Sequence, residues 1–234
     1  MINRITVIQK IINKINAQTY LEIGTSNGEC FLKIKAPTKI AVDPITKISW
    51  IKRIFYDFGN ISNLRSKYIK LTSDQFFIKK KYLLRKNGLD VVFIDGLHTY
   101  KQSLKDVQNA LKFLNPRGVI VMHDCMPMNR LSALPAESLE EVNKLNLKSW
   151  ANEWCGDVWK TIAYLRTERS DLNIFVLDFD YGLGIITKGK PSNNLDFSKS
   201  KLKNLMYSDF EQDRENILNL MSTNYLDKFL DMLS

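Results

Sequence analysis

The sequence predicts an α/β fold built on one doubly wound, mostly parallel sheet with helices on both faces. Three observations carry that prediction. The apolar runs Tyr20 to Ile23, Ile40 to Val42, Ile69 to Leu71, Val91 to Ile94 and Val119 to Met122 are continuous rather than alternating, as strands covered on both faces are. Helix-like segments separate them, most clearly where Leu104, Val107, Leu111 and Leu114 recur at helical spacing. Asn115-Pro116-Arg117-Gly118 then stops that helix before the next run, which makes a strand-helix-strand unit and a parallel pairing.

Taken in order, the chain opens on an amphipathic helix, because Ile5, Ile8, Ile12 and Ile15 line one face. After the fifth run, residues 126–142 form a loop rich in Met, Pro, Ser and Ala, long enough to serve as a lid. A helix follows from about Asp157 to Arg166. Two further runs, Ile174 to Leu177 and Gly184 to Thr187, are joined by a short polar connection and predict an antiparallel hairpin that closes the sheet. Pro191 to Asn194 reads as a hinge. The domain is therefore taken as residues 1–190, with a helical extension over 191–234 for packing or homodimer formation.

Composition narrows the class. The 234 residues suffice to bury a sizeable core, and a hydrophobic fraction of 44% is ordinary for a globular chain. Cys30, Cys125 and Cys155 are odd in number and widely spaced without a C-x-x-C pair, which argues against a disulfide framework and a structural zinc site. The apolar runs are too short to cross a bilayer, and the first fifteen residues lack the unbroken apolar stretch of a secretory signal. A cytoplasmic protein without a membrane partner is expected. The net charge of +9 is spread along the chain, and Lys79-Lys80-Lys81 with Arg85-Lys86 reads as a solvated helix face, so a nucleic-acid partner is not favoured.

The sharpest local signal is Tyr20 to Gly28. An apolar run ends in Glu22 and enters a loop bounded by Gly24 and Gly28, with Thr25 and Ser26 between them, before an expected helix. Glycines let a ligand approach the backbone closely, and a helix N-terminus favours an anionic group. Two glycines by themselves mark a tight turn. Asp43, at the end of the second run, adds a carboxylate placed to accept both hydroxyls of a ribose, so the pair suits a nucleoside-bearing cofactor. The glycine spacing is not G-x-G-x-x-G, which argues against NAD. Ser73-Asp74, after the third run, reads either as a contact to adenine or as a routine helix cap.

A second cluster follows the fourth and fifth runs: Asp95-Gly96-Leu97-His98 and His123-Asp124. In parallel sheets ligands bind beyond the carboxyl ends of the strands, so both termini are expected to converge on the crevice of Gly24. Asp95 and Asp124 suit a hard cation such as Mg²⁺, and His98 suits proton removal near neutral pH. Both histidines of the chain fall at these two strand ends.

These residues, as YLEIGTSNGE, IAVDP, DVVFIDGLHTY, LNPRGVIVMHDC and GDVWKTIAYLR, resemble the class I S-adenosylmethionine-dependent methyltransferases over about residues 18 to 190. Within that class they are similar to the metal-dependent sugar O-methyltransferases of macrolide and aminocoumarin pathways and their polysaccharide-cluster relatives. The resemblance implies a seven-stranded sheet with its last strand antiparallel. It implies that Glu22, Gly24, Thr25, Ser26 and Gly28 hold the methionine end of S-adenosylmethionine, that Asp43 holds its ribose, and that Ser73, Asp74 and Asp95 complete the cofactor site. It further implies Mg²⁺ on Asp95 and Asp124, with His98 as general base.

One position departs from the pattern. The sugar enzymes carry an acidic pair where this chain has His123-Asp124. Either His123 replaces the third ligand, or Asp157 supplies it, or the reaction runs without metal. Tyr100, Asp157 and Trp159 are candidate acceptor contacts, although Trp at this spacing equally suits a helix core. The expected function is O-methylation of a sugar or other small hydroxylated metabolite for a surface glycan or natural product. RNA methylation and a non-catalytic cofactor-binding module are the alternatives.

Overall fold

The computed structural model describes residues 2–148, 150 and 153–233. They form two compact units: residues 1–96, 106–121 and 226–234 in the first, and residues 97–105 and 122–225 in the second.

The first unit opens on α1 (Arg4–Ile15). The Asn3 side chain caps it by accepting from Thr6 N at 3.0 Å, and Val7, Ile8, Ile11 and Ile12 are its buried stripe. The strands β1 (Thr19–Ile23), β2 (Thr38–Val42), β3 (Lys67–Ile69), β4 (Leu89–Ile94) and β5 (Leu114–Met122) lie in the order β3-β2-β1-β4-β5. β1 pairs in parallel with both β2 and β4, and β2 with β3, so Glu22 sits opposite Ala41 on one side and Phe93 on the other. Every residue of β1 is buried, which is why its run shows no alternation. Between these strands lie α2 (Trp50–Gly59), a 3₁₀ helix (Ile61–Arg65), α3 (Ser73–Lys79), α4 (Lys81–Asn87) and α5 (Tyr100–Leu111).

One expectation fails here: no α-helix follows the glycine loop. The chain makes a helical turn, with Leu32 N donating to Gly28 O at 3.1 Å and Ile34 N to Cys30 O at 3.3 Å, and then stops. The reason is tertiary. The fully buried Lys39 on β2 donates through Nζ to the carbonyls of Phe31 at 2.6 Å and Ile34 at 2.8 Å, and to Asn63 Oδ1 at 2.5 Å. Asn60 Nδ2 and Asn63 Nδ2 each take the carbonyl of Leu32 at 3.0 Å. These side chains satisfy the carbonyls that a longer helix would have used internally.

The second unit holds α6 (Leu139–Lys144), α7 (Trp159–Glu168), β6 (Leu172–Leu177), β7 (Leu183–Lys188), α8 (Lys199–Lys203), α9 (Tyr207–Leu218) and β8 (Leu220–Met221). α10 (Tyr225–Met232) leads from its last residue back into the first unit. The strand order is β7-β6-β8. β6 and β7 form the predicted antiparallel hairpin, with Leu177 opposite Leu183, and β8 runs parallel to β6. Among the described residues the strand count is thus eight rather than seven, because β8 lies in the segment read as wholly helical. Two residues are too few to show a period of two. The loop expected as a lid is held by hydrogen bonds: Cys155 N and Gly156 N both donate to Ser132 O at 2.9 Å, and Trp154 Nε1 to Leu134 O at 2.8 Å. Among the described residues, no helix is long and apolar enough to cross a membrane.

Candidate active site

In the first unit, β1 ends at Ile23 and the chain turns at Gly24, whose φ is +83°. A Cβ there would lie 1.8 Å from the Asp95 carbonyl oxygen, so the backbones after β1 and β4 meet too closely for a side chain. Ser26 also has positive φ, and Gly28, at +77°, closes the loop by donating its N–H to Thr25 O at 2.8 Å. Asp43 ties this loop to the end of β2. Its Oδ2 accepts from Ser26 N at 2.7 Å and its Oδ1 from Ile45 N at 2.8 Å, which leaves each oxygen a lone pair for a hydroxyl. Thr25 Oγ1 is buried with no protein partner, an orphan that a ligand at this loop would satisfy.

Glu22 is 1% exposed, and its Oε2 accepts from the Tyr20 hydroxyl at 2.5 Å. Burial pushes its carboxyl up to about 8. Thr72, not Ser73, caps α3: its Oγ1 accepts from Gln75 N at 3.3 Å while Gln75 Oε1 accepts from Thr72 N at 3.4 Å. Ser73 is the buried first residue of that helix, and Asp74 is a half-buried acid of its first turn. Asp95 follows β4, its N–H donating to Ile23 O at 2.8 Å.

The second unit gathers the histidines. His98 Nδ1 lies 2.7 Å from the Trp154 carbonyl oxygen, and Nε2 lies 3.2 Å from Asp124 Oδ2. A carbonyl oxygen can only accept, so Nδ1 carries a proton. The same Asp124 oxygen is 3.0 Å from His123 Nδ1, and His123 Nε2 is 3.4 Å from Asp180 Oδ1. Asp124 and His123 are buried, whereas the His98 side chain is 23% exposed. Asp124 has a φ of +58°, a conformation that asparagine and aspartate tolerate better than most residues.

The segment before α7 holds His98 from the other side. Gly156, at φ +60°, lies so close that a Cβ would sit 1.8 Å from the His98 carbonyl oxygen. The Trp154 ring stands 5.3 Å from the imidazole. Asp157 Oδ1 accepts from Tyr100 N at 2.6 Å, capping the start of α5, and its Oδ2 lies 3.8 Å from Lys160 Nζ. Trp159 is 1% exposed and packs on Phe210 at 4.7 Å, so its ring offers no face to solvent. Tyr100 borders a cavity of about 500 Å³ that Lys160, Tyr164, Glu168, Lys199 and Lys203 also line.

Three contributors escaped the sequence reading: the Trp154 carbonyl, Gly156 and Asp180. A backbone carbonyl leaves no residue-type signal, and Asp180 read as part of a turn. Gly156 alone was legible, as a glycine just before a predicted helix.

The parallel sheet of this order, with a glycine-bounded loop after β1 and an acid after β2, is similar in fold to solved methyltransferases. Residues 21–125 match a family described as a methyltransferase domain. An uncharacterized protein of Acanthamoeba polyphaga mimivirus, R132, is 31% identical over 113 residues, 45% of this chain and 51% of that protein. The chain thus spans about half the length of that curated relative. Among solved structures, the O-methyltransferase TomG of Streptomyces achromogenes, involved in tomaymycin synthesis and bound to S-adenosylmethionine, is similar with a TM-score of 0.55 and 12% identity, covering 81% of this chain and 82% of that one. The Podospora anserina methyltransferase PaMTH1, bound to S-adenosylhomocysteine, is similar with a TM-score of 0.54 and 18% identity over 81% and 80% of the two chains. At these identities the likeness is one of fold.

Proposed function

We propose that the protein is an S-adenosylmethionine-dependent O-methyltransferase acting on a small hydroxylated acceptor of sugar type. The observation that carries this reading is the family match over residues 21–125, which includes the glycine loop, Asp43, His98 and Asp124. The loop suits the cofactor: it has a backbone cradle at Gly24, an orphaned Thr25 hydroxyl, and a carboxylate at Asp43 with free lone pairs. When bound, S-adenosylmethionine supplies a methyl group on a positively charged sulfur.

Transfer of that methyl to an acceptor hydroxyl would require the hydroxyl proton to leave. His98 Nε2 takes it, since Nδ1 is held protonated by the Trp154 carbonyl. Asp124 Oδ2, 3.2 Å away, pairs with the imidazolium that results. Two tyrosines and three lysines around the cavity at Tyr100 suit a hydroxylated acceptor that carries negative charge.

Asp124 Oδ2 faces two imidazoles, and no step is routed through a metal. Titration calorimetry tests the cofactor: heat on adding S-adenosylmethionine or S-adenosylhomocysteine and none with NAD is expected, and the reverse would end the reading. Once an acceptor is found, turnover measured with and without a chelator shows whether a metal takes part.

A further inference from the structure

α2 is an amphipathic helix laid on the protein the wrong way round. Trp50, Ile51, Ile54, Phe55 and Phe58 fall on one continuous arc of the helix, and all five are exposed, Phe58 at 88%. No residue of α2 is buried. The opposite, polar arc is the one tied down: Lys52 Nζ donates to Asn27 O at 2.8 Å, the Arg53 guanidinium lies 4.3 Å over the Tyr68 ring, and Asp57 Oδ1 is enclosed. Ile45 before the helix, and Ile61 and Leu64 after it, extend the exposed apolar surface. An apolar cluster of this extent marks an interaction surface.

We propose that this face docks on an anionic lipid bilayer, with α2 lying in the interfacial plane and its aromatic and isoleucine side chains at the boundary of headgroups and acyl chains. Charge selects that occupant. Residues 45–70 hold six basic side chains, Lys47, Lys52, Arg53, Arg65, Lys67 and Lys70, against the single acid Asp57. Lys47, Arg65, Lys67 and Lys70 are exposed, and a negatively charged surface attracts such a set. A second copy docked through the same face would set like charges against each other. The helix has ten residues, too few to span a bilayer, so the association is peripheral. The proposal is independent of the methyl-transfer reading.

Sedimentation of the full chain with phosphatidylcholine vesicles, with and without about a third phosphatidylglycerol, tests it. The expected result is selective binding to the anionic vesicles that weakens as salt is raised. Phe55→Ser/Phe58→Ser should weaken it by roughly tenfold or more, and Lys67→Gln/Lys70→Gln should weaken it on anionic vesicles, with far-UV circular dichroism unchanged in both. Three outcomes would overturn the proposal: no binding to either vesicle, equal binding to neutral and anionic vesicles, or binding indifferent to these substitutions. Concentration-dependent self-association lost in Phe55→Ser/Phe58→Ser, without vesicle binding, would assign the face to a second copy instead.

Discussion

His98 Nδ1 is held by the Trp154 carbonyl, which keeps it protonated and leaves Nε2, 3.2 Å from Asp124, as the nitrogen that can receive a proton. A positioned base is typically worth about 10²- to 10⁴-fold in rate, so His98→Ala should lose methyl transfer by that factor with cofactor affinity unchanged. Activity at the wild-type level would remove His98 from the chemistry. Asp43 is proposed for binding instead. Asp43→Ala deletes the acceptor of Ser26 N and Ile45 N together with the lone pairs offered to a ribose, and should weaken S-adenosylmethionine binding by about 1 to 3 kcal/mol. Calorimetry showing equal affinity in the folded variant would move the ribose elsewhere.

At the scale of elements, the positions of the side chains are set by turns rather than by the helices and strands themselves. The segment before α7 reaches His98 because residue 156 has no Cβ and adopts a φ of +60°. Gly156→Ala must push the two backbones apart, and displacement of a catalytic group by about 1 Å can cost on the order of 10²-fold in rate. Turnover should therefore fall while S-adenosylmethionine affinity, which rests on the other unit, holds. A variant with normal turnover would show that His98 tolerates the shift. The turn after Gly28 illustrates the same dependence, since Lys39 draws off the carbonyls of Phe31 and Ile34 that would have continued a helix. α2 differs from both: its orientation follows from the contacts of Lys52 and Arg53, which no local pattern reveals.

For the whole molecule, the buried polar groups under the cofactor loop set a pH dependence of stability. Burial raises the Glu22 carboxyl from its ordinary 4.5 to about 8. A group whose pKa is raised on folding contributes stability that is fully present below its unfolded pKa and is lost as pH rises through its folded one. Wild type should therefore lose thermal stability relative to Glu22→Gln as the pH climbs from about 4.5 to about 8, because the glutamine cannot ionise in either state. Melting curves with a pH-independent difference between the two proteins would contradict the buried, protonated carboxyl.

By itself the sequence determined the class of fold and marked the strand ends at which the candidate groups stand. Continuous apolar runs and a helical period located seven strands and the main helices to within a few residues, since burial on both faces leaves its mark on residue type. Strand-end acids, glycines and histidines were legible for the same reason: few other residue types serve a close turn, a ribose or a proton. The tertiary structure alone decided what those groups face. Trp159 turns into a core, Asp157 caps α5, and a backbone carbonyl fixes the proton on His98, because each depends on a partner distant in sequence. It also decided the two features with no local signature: β8, whose two residues earn strand geometry only by lying beside β6, and the outward apolar face of α2, which exists because Asn27 and Tyr68 hold the polar one.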